Sequence, residues 1–463
     1  MTSTAFTQMA SVEWHPDLIR KYDHAGPRYT SYPTALEFTE AFEHQQLLKV
    51  VARQLDAPLS LYVHIPFCHS LCWYCGCNKV VTRNPSRVDR YLEALAKEIA
   101  ARAPLFEGRT VTQLHFGGGT PSYLSDSQRR QLMHTLRTAF TFADDAELSI
   151  EIDPRQLPLS IVDTLKEEGF NRLSIGVQDF NPEVQKAIHR EQDEAFIFAL
   201  RNRAREVGFT SVSVDLIYGL PHQDEAHFEH TLDRTIALDP DRISLFSYAH
   251  MPSHFPSQRL IQDEALPSAD VKLELLQRAI MRLTDQGYHF IGMDHFARPD
   301  DELAMAQREG RLHRNFQGYT PSGATDVLGL GVSAISSIST IYAQNIKSLK
   351  EYEAATDTRG ETLWRGVALT EDDVRRRALI HTLMCHFHVD IAAFEAEHAI
   401  HFARYFAEDL TLLAPLIEDG LVLCDDQHIT ITPRGRLLVR TVCACFDTYL
   451  RKRQQQRHYS RVI

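Results

Sequence analysis

The stretch that decides the fold runs from residue 64 to residue 78 and reads His-Ile-Pro-Phe-Cys-His-Ser-Leu-Cys-Trp-Tyr-Cys-Gly-Cys-Asn. Three of its four cysteines, Cys68, Cys72 and Cys75, follow the spacing C-x3-C-x2-C, and Cys77 is the fourth. Residues 60–65 alternate in polarity and are rich in strand-forming types, so we expect the cysteines in a loop that leaves a strand. Three thiolates on one loop can hold three irons of a cubane cluster and leave the fourth iron open to chelate a substrate.

This loop has other interpretations, which are a structural zinc site, a disulfide knot and a ferredoxin-like electron carrier. Zinc sites usually draw their ligands from two separated pairs, and the sequence offers no second pair at a suitable distance. Eight cysteines, half of them in one loop, are typical of a reducing compartment where thiolates bind metal. The electron carrier requires a fourth ligand, which Cys77 could supply.

Length, composition and charge exclude several classes of protein. The 463 residues are enough for two or three domains, and 44% hydrophobic with 24% charged residues is ordinary for a globular protein. The net charge of −12 argues against a general nucleic-acid binder. Residues 1–6 lack the pattern of a signal peptide, and the longest uncharged run, 327–345, is too polar to span a bilayer and reads as buried strand and turn. We therefore expect a cytoplasmic monomer with no nucleic-acid or membrane partner.

A regular alternation of strands and helices begins near residue 59. The predicted strands are 60–65, 113–116, 147–152, 172–178, 211–218 and 242–248. The predicted helices between them are 88–102, 125–140, 160–168, 194–207 and 225–238. Six such units in series predict a parallel sheet, because each crossover returns the chain in the same direction. The fold class is therefore α/β, a partial (β/α)6 barrel with an N-terminal arm and a mainly helical C-terminal domain.

The predicted domain boundaries are an N-terminal arm at 1–52, the barrel at 53–290, a barrel extension and active-site cover at 291–350, and a mainly helical domain at 351–463. The arm is either a surface wrap or a flap that supplies cationic and aromatic groups to a site. In the last domain we predict helices at 371–385, 391–398 and 402–413, the third stopped by Pro415. A small hairpin at 420–432 and a last helix at 435–450 favour a winged-helix-like arrangement. Cys443 and Cys445 are expected in the core, and the basic tail beyond them in solvent.

The strand ends carry the candidate site residues, because ligands of parallel sheets bind at the carboxyl ends of the strands. The second strand is followed by Gly117-Gly118-Gly119, which lets the backbone approach a ligand closely. Glu151 near the end of the third strand could accept hydrogen bonds from a ribose or hold an amino group. Further polar groups follow at Gln178-Asp179, Asp215 and Tyr248-Ala249-His250. The Gly329-Leu330-Gly331 segment lacks the context of a dinucleotide-binding turn.

The cysteine spacing, with Tyr74 before the last cysteine, resembles the radical S-adenosylmethionine (SAM) superfamily. Within it, further segments resemble the oxygen-independent coproporphyrinogen III oxidases of haem biosynthesis. These segments are 26–34 (Gly-Pro-Arg-Tyr-Thr-Ser-Tyr-Pro-Thr), 64–68, 75–79, 116–121 (Phe-Gly-Gly-Gly-Thr-Pro), 151–154 (Glu-Ile-Asp-Pro), 315–319 (Asn-Phe-Gln-Gly-Tyr) and 446–450 (Phe-Asp-Thr-Tyr-Leu).

The resemblance implies one 4Fe-4S cluster, held by Cys68, Cys72 and Cys75, and two SAM molecules. It assigns SAM binding to Tyr62, Tyr74, Gly118, Gly119, Thr120, Glu151, Gln178, Arg190, Asp215, Ala249 and Ile335. It implies catalytic roles for Tyr62, Glu151, Phe316, Gln317 and Cys77, the last being a cysteine characteristic of the family that is not a cluster ligand.

The implied reaction is the oxidative decarboxylation of two propionates of coproporphyrinogen III to vinyls, which yields protoporphyrinogen IX through a 5′-deoxyadenosyl radical. An electron donor such as flavodoxin or ferredoxin would supply the cluster with an electron. The substrate has four carboxylates while the chain is acidic, so Arg28, Arg190, Arg311 and Arg314 are candidates to bind them. The alternative is a haem chaperone of the same superfamily, whose loop typically has phenylalanine where this chain has Cys77.

Overall fold

The computed structural model describes residues 12–24, 26–53, 56–323, 325–358 and 361–452. They form two compact units, each made of separate stretches of the chain. The barrel unit comprises the described residues of 38–275 and 324–368, and the second unit comprises those of 1–37, 276–323 and 369–463. The domain boundaries predicted from the sequence stay a prediction.

The barrel unit is organised around six parallel strands. They are β1 (Leu59–Ile65), β2 (Thr110–Gly118), β3 (Thr141–Ile152), β4 (Arg172–Gln178), β5 (Ser211–Tyr218) and β6 (Arg242–Ser247). Each pairs in parallel with the next along the chain, so their carboxyl ends share one edge of the sheet. The predicted partial (β/α)6 barrel is confirmed.

The sheet continues beyond β1 with four strands that are later in sequence. They are β7 (Asp326–Leu330), β8 (Ile335–Ile338), β9 (Ile341–Asn345) and β10 (Leu363–Ala368). Strand β7 runs parallel to β1, and β8, β9 and β10 follow in antiparallel order. The buried strand and turn predicted for 327–345 are therefore present. Because β7 leads to an antiparallel strand and no helix, Gly329 and Gly331 are not part of a dinucleotide-binding turn.

Local sequence signals set the ends of the helices in this unit. The helix Pro85–Arg102 begins after Asn84, whose side chain accepts a hydrogen bond from the Ser86 N–H at 3.1 Å. The remaining helices are His44–Val51, Asp126–Ala139, Ile161–Glu168, Pro182–Ala187, Glu194–Glu206, Glu225–Leu238 and Leu349–Thr358, and a further helix is Ala269–Asp285. Short 3-10 turns lie at Ala103–Phe106, Pro121–Tyr123, Pro256–Leu260 and Asp263–Ala265.

The second unit combines short helices with small hairpins. Its helices are Pro16–Tyr22, Glu302–Arg308, Glu371–His386, Ile391–His398, Phe402–Tyr405, Ala407–Glu418, Val439–Ala444 and Thr448–Lys452, with 3-10 turns at Ala35–Glu37 and Arg436–Leu438. Its strands are His289–Gly292 with His295–Ala297, His313–Asn315 with Gly318–Thr320, and a three-stranded sheet of His388–Asp390, Val422–Cys424 and His428–Ile431. Among the helices in the described part of the chain, none combines the length and apolar character that crossing a bilayer requires.

The described part of the N-terminal arm contributes to the core of the second unit. Tyr22, Tyr29 and Tyr32 are buried in one cluster with residues of the late helices, such as Leu383 and Phe446. The Tyr29 hydroxyl donates to Asp447 at 3.1 Å, and the Tyr32 hydroxyl lies 3.1 Å from the Thr448 hydroxyl. This segment is therefore a core element, which neither interpretation from the sequence anticipated.

Two helix predictions in this unit are wrong. The helix Ala407–Glu418 continues past Pro415, because Leu413 and Leu416 on either side are buried and their packing outweighs the lost hydrogen bond. The last helix is broken near Asp447, whose carboxylate accepts the N–H groups of Tyr449 and Leu450 and so begins a new helix. Cys443 and Cys445 are buried as predicted, and the tail from residue 453 lies outside the described residues.

Candidate active site

The cysteine loop leaves the carboxyl end of β1, as the sequence predicts. Cys68 belongs to a short strand, Phe67–Cys68, that pairs with Val80–Val81 and closes the loop at its base. Cys68 and Cys72 are buried, Cys75 is half-buried and Cys77 is exposed, and all four thiols are free of disulfide bonds. The loop therefore presents unbonded thiols at the edge where the strand ends meet.

Two arginines direct their guanidinium groups at the sulfur of Cys72. Arg155 Nη2 lies 3.1 Å and Arg190 Nη1 3.3 Å from the Cys72 Sγ. Both arginines also bond to the Asp153 carboxylate, at 2.6 and 3.1 Å. Burial alone would raise the pKa of Asp153, yet Arg190 and Arg155 hold it below its usual value. The Cys72 sulfur therefore lies within hydrogen-bond distance of two cationic side chains.

Hydrogen-bond donors also reach the sulfurs of Cys68 and Cys75. The Thr120 hydroxyl donates to Cys68 Sγ at 3.4 Å, and the backbone N–H of Cys77 donates to Cys75 Sγ at 3.5 Å. The pKa of Cys75 is lowered to about 6, chiefly by its hydrogen bond with the Cys77 side chain. Burial raises the pKa of Cys68 to about 11, so this thiol would lose its proton on binding a metal.

This donor set fits a thiolate-bound iron–sulfur cluster. Each of the three thiols receives at least one N–H or O–H donor, and hydrogen bonds to the sulfurs are how proteins tune such clusters. Within the described residues, no group of three or more His, Cys, Asp or Glu side chains could hold a single metal ion.

The glycine turn after β2 lies against the base of the cysteine loop. Gly119 donates its N–H to Ile65 at 2.8 Å, and a Cβ on Gly119 would lie 2.6 Å from the Pro66 carbonyl oxygen. Gly118 has φ +115°, and a Cβ there would lie 2.6 Å from the His64 ring. Any side chain at these positions would push the turn away from the loop. The glycines therefore bring the backbone of the two strand ends together.

Glu151 lies beside this turn and is held by two donors. Its carboxylate accepts the Gly118 N–H at 3.3 Å and lies 3.2 Å from His115 Nε2. Burial would raise the pKa of Glu151, but the hydrogen bonds from His115 and Gly118 hold it below its usual value. Glu151 therefore carries a negative charge at neutral pH, and such a group can bind the ammonium or hydroxyl groups of a ligand.

Tyr62 lies two strands away from Glu151, and both side chains border Gly117 of the strand between them. Its hydroxyl lies 3.1 Å from His64 Nδ1, and its ring stacks on His115 with the centroids 5.9 Å apart. His64 in turn is fixed by the carbonyl of Asn78 at 3.0 Å. Tyr62 pairs with Gly329 of β7, and Gly329 lies directly against the backbone of Ile335. The sheet therefore brings Tyr62, Glu151 and Ile335 into one neighbourhood.

Three further candidates are Gln178 at the end of β4, Arg190 just beyond the helix Pro182–Ala187, and Asp215 within β5. Arg190 Nη2 donates to the Gly176 carbonyl at 2.6 Å, and a Cβ on Gly176 would lie within 3 Å of both Arg190 and Gln178. The Asp215 carboxylate accepts a hydrogen bond from Ser174 at 3.3 Å. Burial, and next the charge of Glu151, raise the pKa of Asp215 to about 7. Gln178, Arg190 and Asp215 therefore lie near Glu151 and Cys72.

Tyr74 and Ala249 are joined by a residue that the sequence did not suggest. The buried Gln258 side chain donates to the Tyr74 carbonyl at 2.9 Å and to the Ala249 carbonyl at 3.2 Å. The ring of Phe255 covers Gly76, within about 3 Å of where its Cβ would be. The segment after β6 therefore fixes the far side of the cysteine loop.

Phe316 and Gln317 belong to the second unit. They occupy the turn between the strands His313–Asn315 and Gly318–Thr320, where Phe316 is half-buried and Gln317 is exposed. The Gln317 N–H donates to the Asn315 side chain at 2.8 Å, which holds the turn. The other candidates, from Tyr62 to Asp215, Ala249 and Ile335, lie in the barrel unit.

Sequence reasoning missed several residues that support the candidate site. Arg155 follows Asp153-Pro154 directly, so the rule that polar groups gather at strand ends could have found it. His64 and His115 lie within predicted strands, where an inward-facing polar residue has no distinct pattern. Gln258 follows the last predicted strand by ten residues, and its role depends on the fold of that segment.

Comparison with known proteins identifies the class first. The family model of the radical SAM superfamily matches residues 62–235, which include the three spaced cysteines, the glycine turn and Glu151. A second family model, the HemN C-terminal domain, matches residues 369–438. The partial barrel with its loop of three cysteines thus defines a radical SAM protein.

Relatives that match nearly the whole chain identify the family within this class. The oxygen-independent coproporphyrinogen III oxidase of Escherichia coli is 60% identical over 452 residues, covering 98% of this chain and 99% of that protein. The oxidase of the same name from Pseudomonas aeruginosa is 48% identical, again covering 98% and 99%. The solved structure of the coproporphyrinogen III oxidase from E. coli, described as a radical SAM enzyme, matches with a TM-score of 0.92 and 59% identity over 95% of this chain and 100% of that one. The chain belongs to the oxygen-independent coproporphyrinogen III oxidases.

Proposed function

We propose that the protein decarboxylates two propionate side chains of coproporphyrinogen III to vinyl groups without oxygen and so forms protoporphyrinogen IX. The observation that carries this proposal is the meeting of three thiols, a glycine turn and Glu151 at one edge of the barrel sheet. Relatives that match the chain over nearly its whole length bear the name of this oxidase.

In this proposal Cys68, Cys72 and Cys75 hold one 4Fe-4S cluster. Gly118, Gly119, Thr120 and Glu151 bind the SAM that completes its coordination, the glycines through their backbone and Glu151 through its charge. Two SAM molecules bind in all, one for each propionate that reacts. The remaining SAM-binding positions are Tyr62, Tyr74, Gln178, Arg190, Asp215, Ala249 and Ile335.

The cluster and SAM, when bound, supply hydrogen-atom abstraction at the propionate β-carbon, after which carbon dioxide and one electron leave as the vinyl group forms. The protein's task is to position that carbon and to exclude water. Tyr62, Glu151, Cys77, Phe316 and Gln317 are proposed to act on or beside the reacting groups. The hydrogen bond from Tyr62 to His64 and the stacking of its ring on His115 would keep this side chain in one orientation.

The partners and the setting belong to the same proposal. The electron comes from a small donor such as flavodoxin or ferredoxin, and the enzyme acts as a monomer in the cytoplasm without nucleic-acid or membrane partners. The four free cysteines of one loop support a reducing compartment. We also propose the domain boundaries that the sequence predicts, which lie at residues 52, 290 and 350.

An anaerobic assay with reductant, SAM and coproporphyrinogen III tests the function. We expect methionine and protoporphyrinogen IX to form together, with two carbon dioxide molecules released per porphyrinogen. Binding of haem without cleavage of SAM would instead indicate the chaperone. A cluster with four thiolate ligands that does not respond to SAM would indicate an electron carrier.

A further inference from the structure

The second unit gathers three arginines around a single buried carboxylate. We call Arg28, Asp294, Arg314 and Arg440 the arginine group. Arg28 Nη2 donates to Asp294 Oδ2. Arg440 is buried, and its guanidinium donates to the backbone carbonyls of Gly26 and of Pro27, the latter at 2.8 Å. Arg440 is thus fixed in part by two peptide carbonyls.

The electrostatics of the group show that its members act on one another. Burial would raise the pKa of Asp294, but Arg28, His295 and Arg314 hold it below its usual value. Burial, and next the charge of Arg28, lower the pKa of Arg440 to about 10. Three guanidinium groups therefore lie around one carboxylate, and the four side chains together have a formal charge of +2.

Arg314 is the member whose guanidinium makes no close ion pair among the described residues, although it lies near enough to Asp294 to affect its pKa. Its side chain is 8% exposed, and its Nε and Nη1 are buried with no hydrogen-bond partner among the described residues. Its guanidinium lies over the Tyr319 ring, 4.7 Å from the centroid, and Tyr319 is anchored by a hydrogen bond to the Met384 carbonyl at 3.2 Å. The backbone N–H of Arg314 donates to His381 Nε2 at 2.9 Å. Arg314 is thus a buried cation that packs on an anchored aromatic ring and has two donors without a hydrogen-bond partner among the described residues.

The three other arginines suggested by the sequence are already engaged. Arg190 bonds to Asp153, Cys72 and the Gly176 carbonyl. Arg311 is exposed and pairs with Glu309, and Arg28 pairs with Asp294. Arg314 also shares its hairpin with Phe316 and Gln317, because it pairs with Tyr319 across the turn that carries them.

We propose that Arg314 binds a propionate carboxylate of the tetracarboxylate substrate, an inference that rests on the proposed function. A buried guanidinium without a counter-ion is unfavourable, and a carboxylate supplies both the charge and two parallel hydrogen-bond acceptors. The surplus charge of the arginine group favours this anion, while Asp294 keeps Arg28 in place.

The test measures binding of coproporphyrin III, the redox-stable oxidised form of the substrate, to the anaerobic holoenzyme by fluorescence titration. The variant is Arg314→Met, which keeps the length of the side chain and removes its donors. The matched control is Arg311→Met, three residues earlier and solvent-exposed. Iron content, affinity for SAM and the thermal unfolding transition are recorded for each variant.

We expect Arg314→Met to weaken coproporphyrin binding about tenfold to a hundredfold, as loss of a charge-assisted hydrogen bond predicts. Arg311→Met should bind as the wild type does. Iron content and SAM affinity should not change, and the unfolding transition should stay in place or rise, because no ion pair is broken. Arg314→Lys, which keeps the charge without the fork, should lose less affinity than Arg314→Met.

Unchanged coproporphyrin affinity in Arg314→Met would overturn the proposal. A loss of SAM affinity in its place would assign the carboxylate to SAM. Failure of both Arg314 variants to fold would show a structural role and also overturn it. If the wild type binds coproporphyrin but forms no protoporphyrinogen in the anaerobic assay, the proposed function fails while the binding comparison still decides the role of Arg314.

Discussion

The positive charges of the arginines around Cys72 and of those around Asp294 are balanced in different ways. Arg155 and Arg190 share the Asp153 carboxylate and the Cys72 sulfur, so two positive charges meet two negative ones once Cys72 is a thiolate. In the arginine group, three guanidinium groups share the one carboxylate of Asp294. If the proposals above hold, the charges at the cofactor site are balanced within the chain, whereas the arginine group keeps a net positive charge for a carboxylate of the substrate.

Cys72→Ser should have the largest effect, because it removes the sulfur that Arg155 and Arg190 contact. Serine cannot supply the thiolate, and Arg155 and Arg190 would then share only Asp153. We expect loss of the cluster, measured as iron content and visible absorption after anaerobic reconstitution. Cys424→Ser, a half-buried cysteine outside the loop, is the control and should keep the wild-type spectrum. Full iron content in Cys72→Ser would remove this cysteine from the ligand set.

A stability measurement sharpens the contrast between paired and unpaired arginines. Arg129 is fully buried and bonds to both oxygens of Glu168, at 3.0 and 3.3 Å. Arg129→Met should lower the free energy of unfolding by about 3–5 kcal/mol, because the buried Glu168 would lose its counter-ion. Arg314→Met breaks no ion pair and should leave that free energy unchanged or raise it. Denaturant unfolding of both variants checks this, and equal losses would contradict the distinction.

Glu151→Ala should have the next largest effect, on SAM binding. Loss of a charge-assisted contact predicts an affinity about tenfold to a hundredfold weaker. Equilibrium binding of SAM to the reconstituted protein measures it. Glu147→Ala is the matched control, because Glu147 lies on the same strand, four residues earlier, and pairs with Arg172 at 3.2 Å. Equal affinities in the two variants would refute the role proposed for Glu151.

Cys77→Ser should have the smallest effect on the cluster. Its backbone N–H, which donates to Cys75, is kept in the variant. We expect wild-type iron content and spectrum, with any loss confined to turnover in the anaerobic assay. Loss of the cluster would show that Cys77 is a ligand and would favour the electron carrier.

The barrel could be predicted from the sequence because its signals are local and repeated. The strands Arg172–Gln178 and Ser211–Tyr218 and the helix Glu225–Leu238 lie where the sequence predicts them. Buried parallel strands occur in the sequence as apolar runs, and each is followed by an amphipathic helix. Hydrophobic periodicity alone therefore distinguishes the strands from the helices.

The second unit was harder to predict because long-range packing decides where its helices begin and end. The helix through Pro415 is kept by its buried neighbours, and the break at Asp447 depends on a side chain that caps a new helix. In the candidate site, cysteine spacing pointed to the proposed metal ligands, whereas Gln258 and Arg155 join the site through contacts between distant segments. Likewise, the sequence suggests four arginines that could bind the substrate carboxylates. Only their burial and hydrogen bonds in the structure distinguish Arg314 from the other three.

The burial of the N-terminal tyrosines has a consequence for how the chain matures during translation. The hydrogen bond from Tyr29 to Asp447 joins residues that are 418 positions apart. The barrel unit ends at residue 368, so all of its residues are synthesised before the last helices, and domains generally fold as units. Residues 26–33 are made early, but Tyr29 and Tyr32 gain their contacts with Asp447 and Thr448 only after those helices emerge, so this part of the core forms at the end of synthesis.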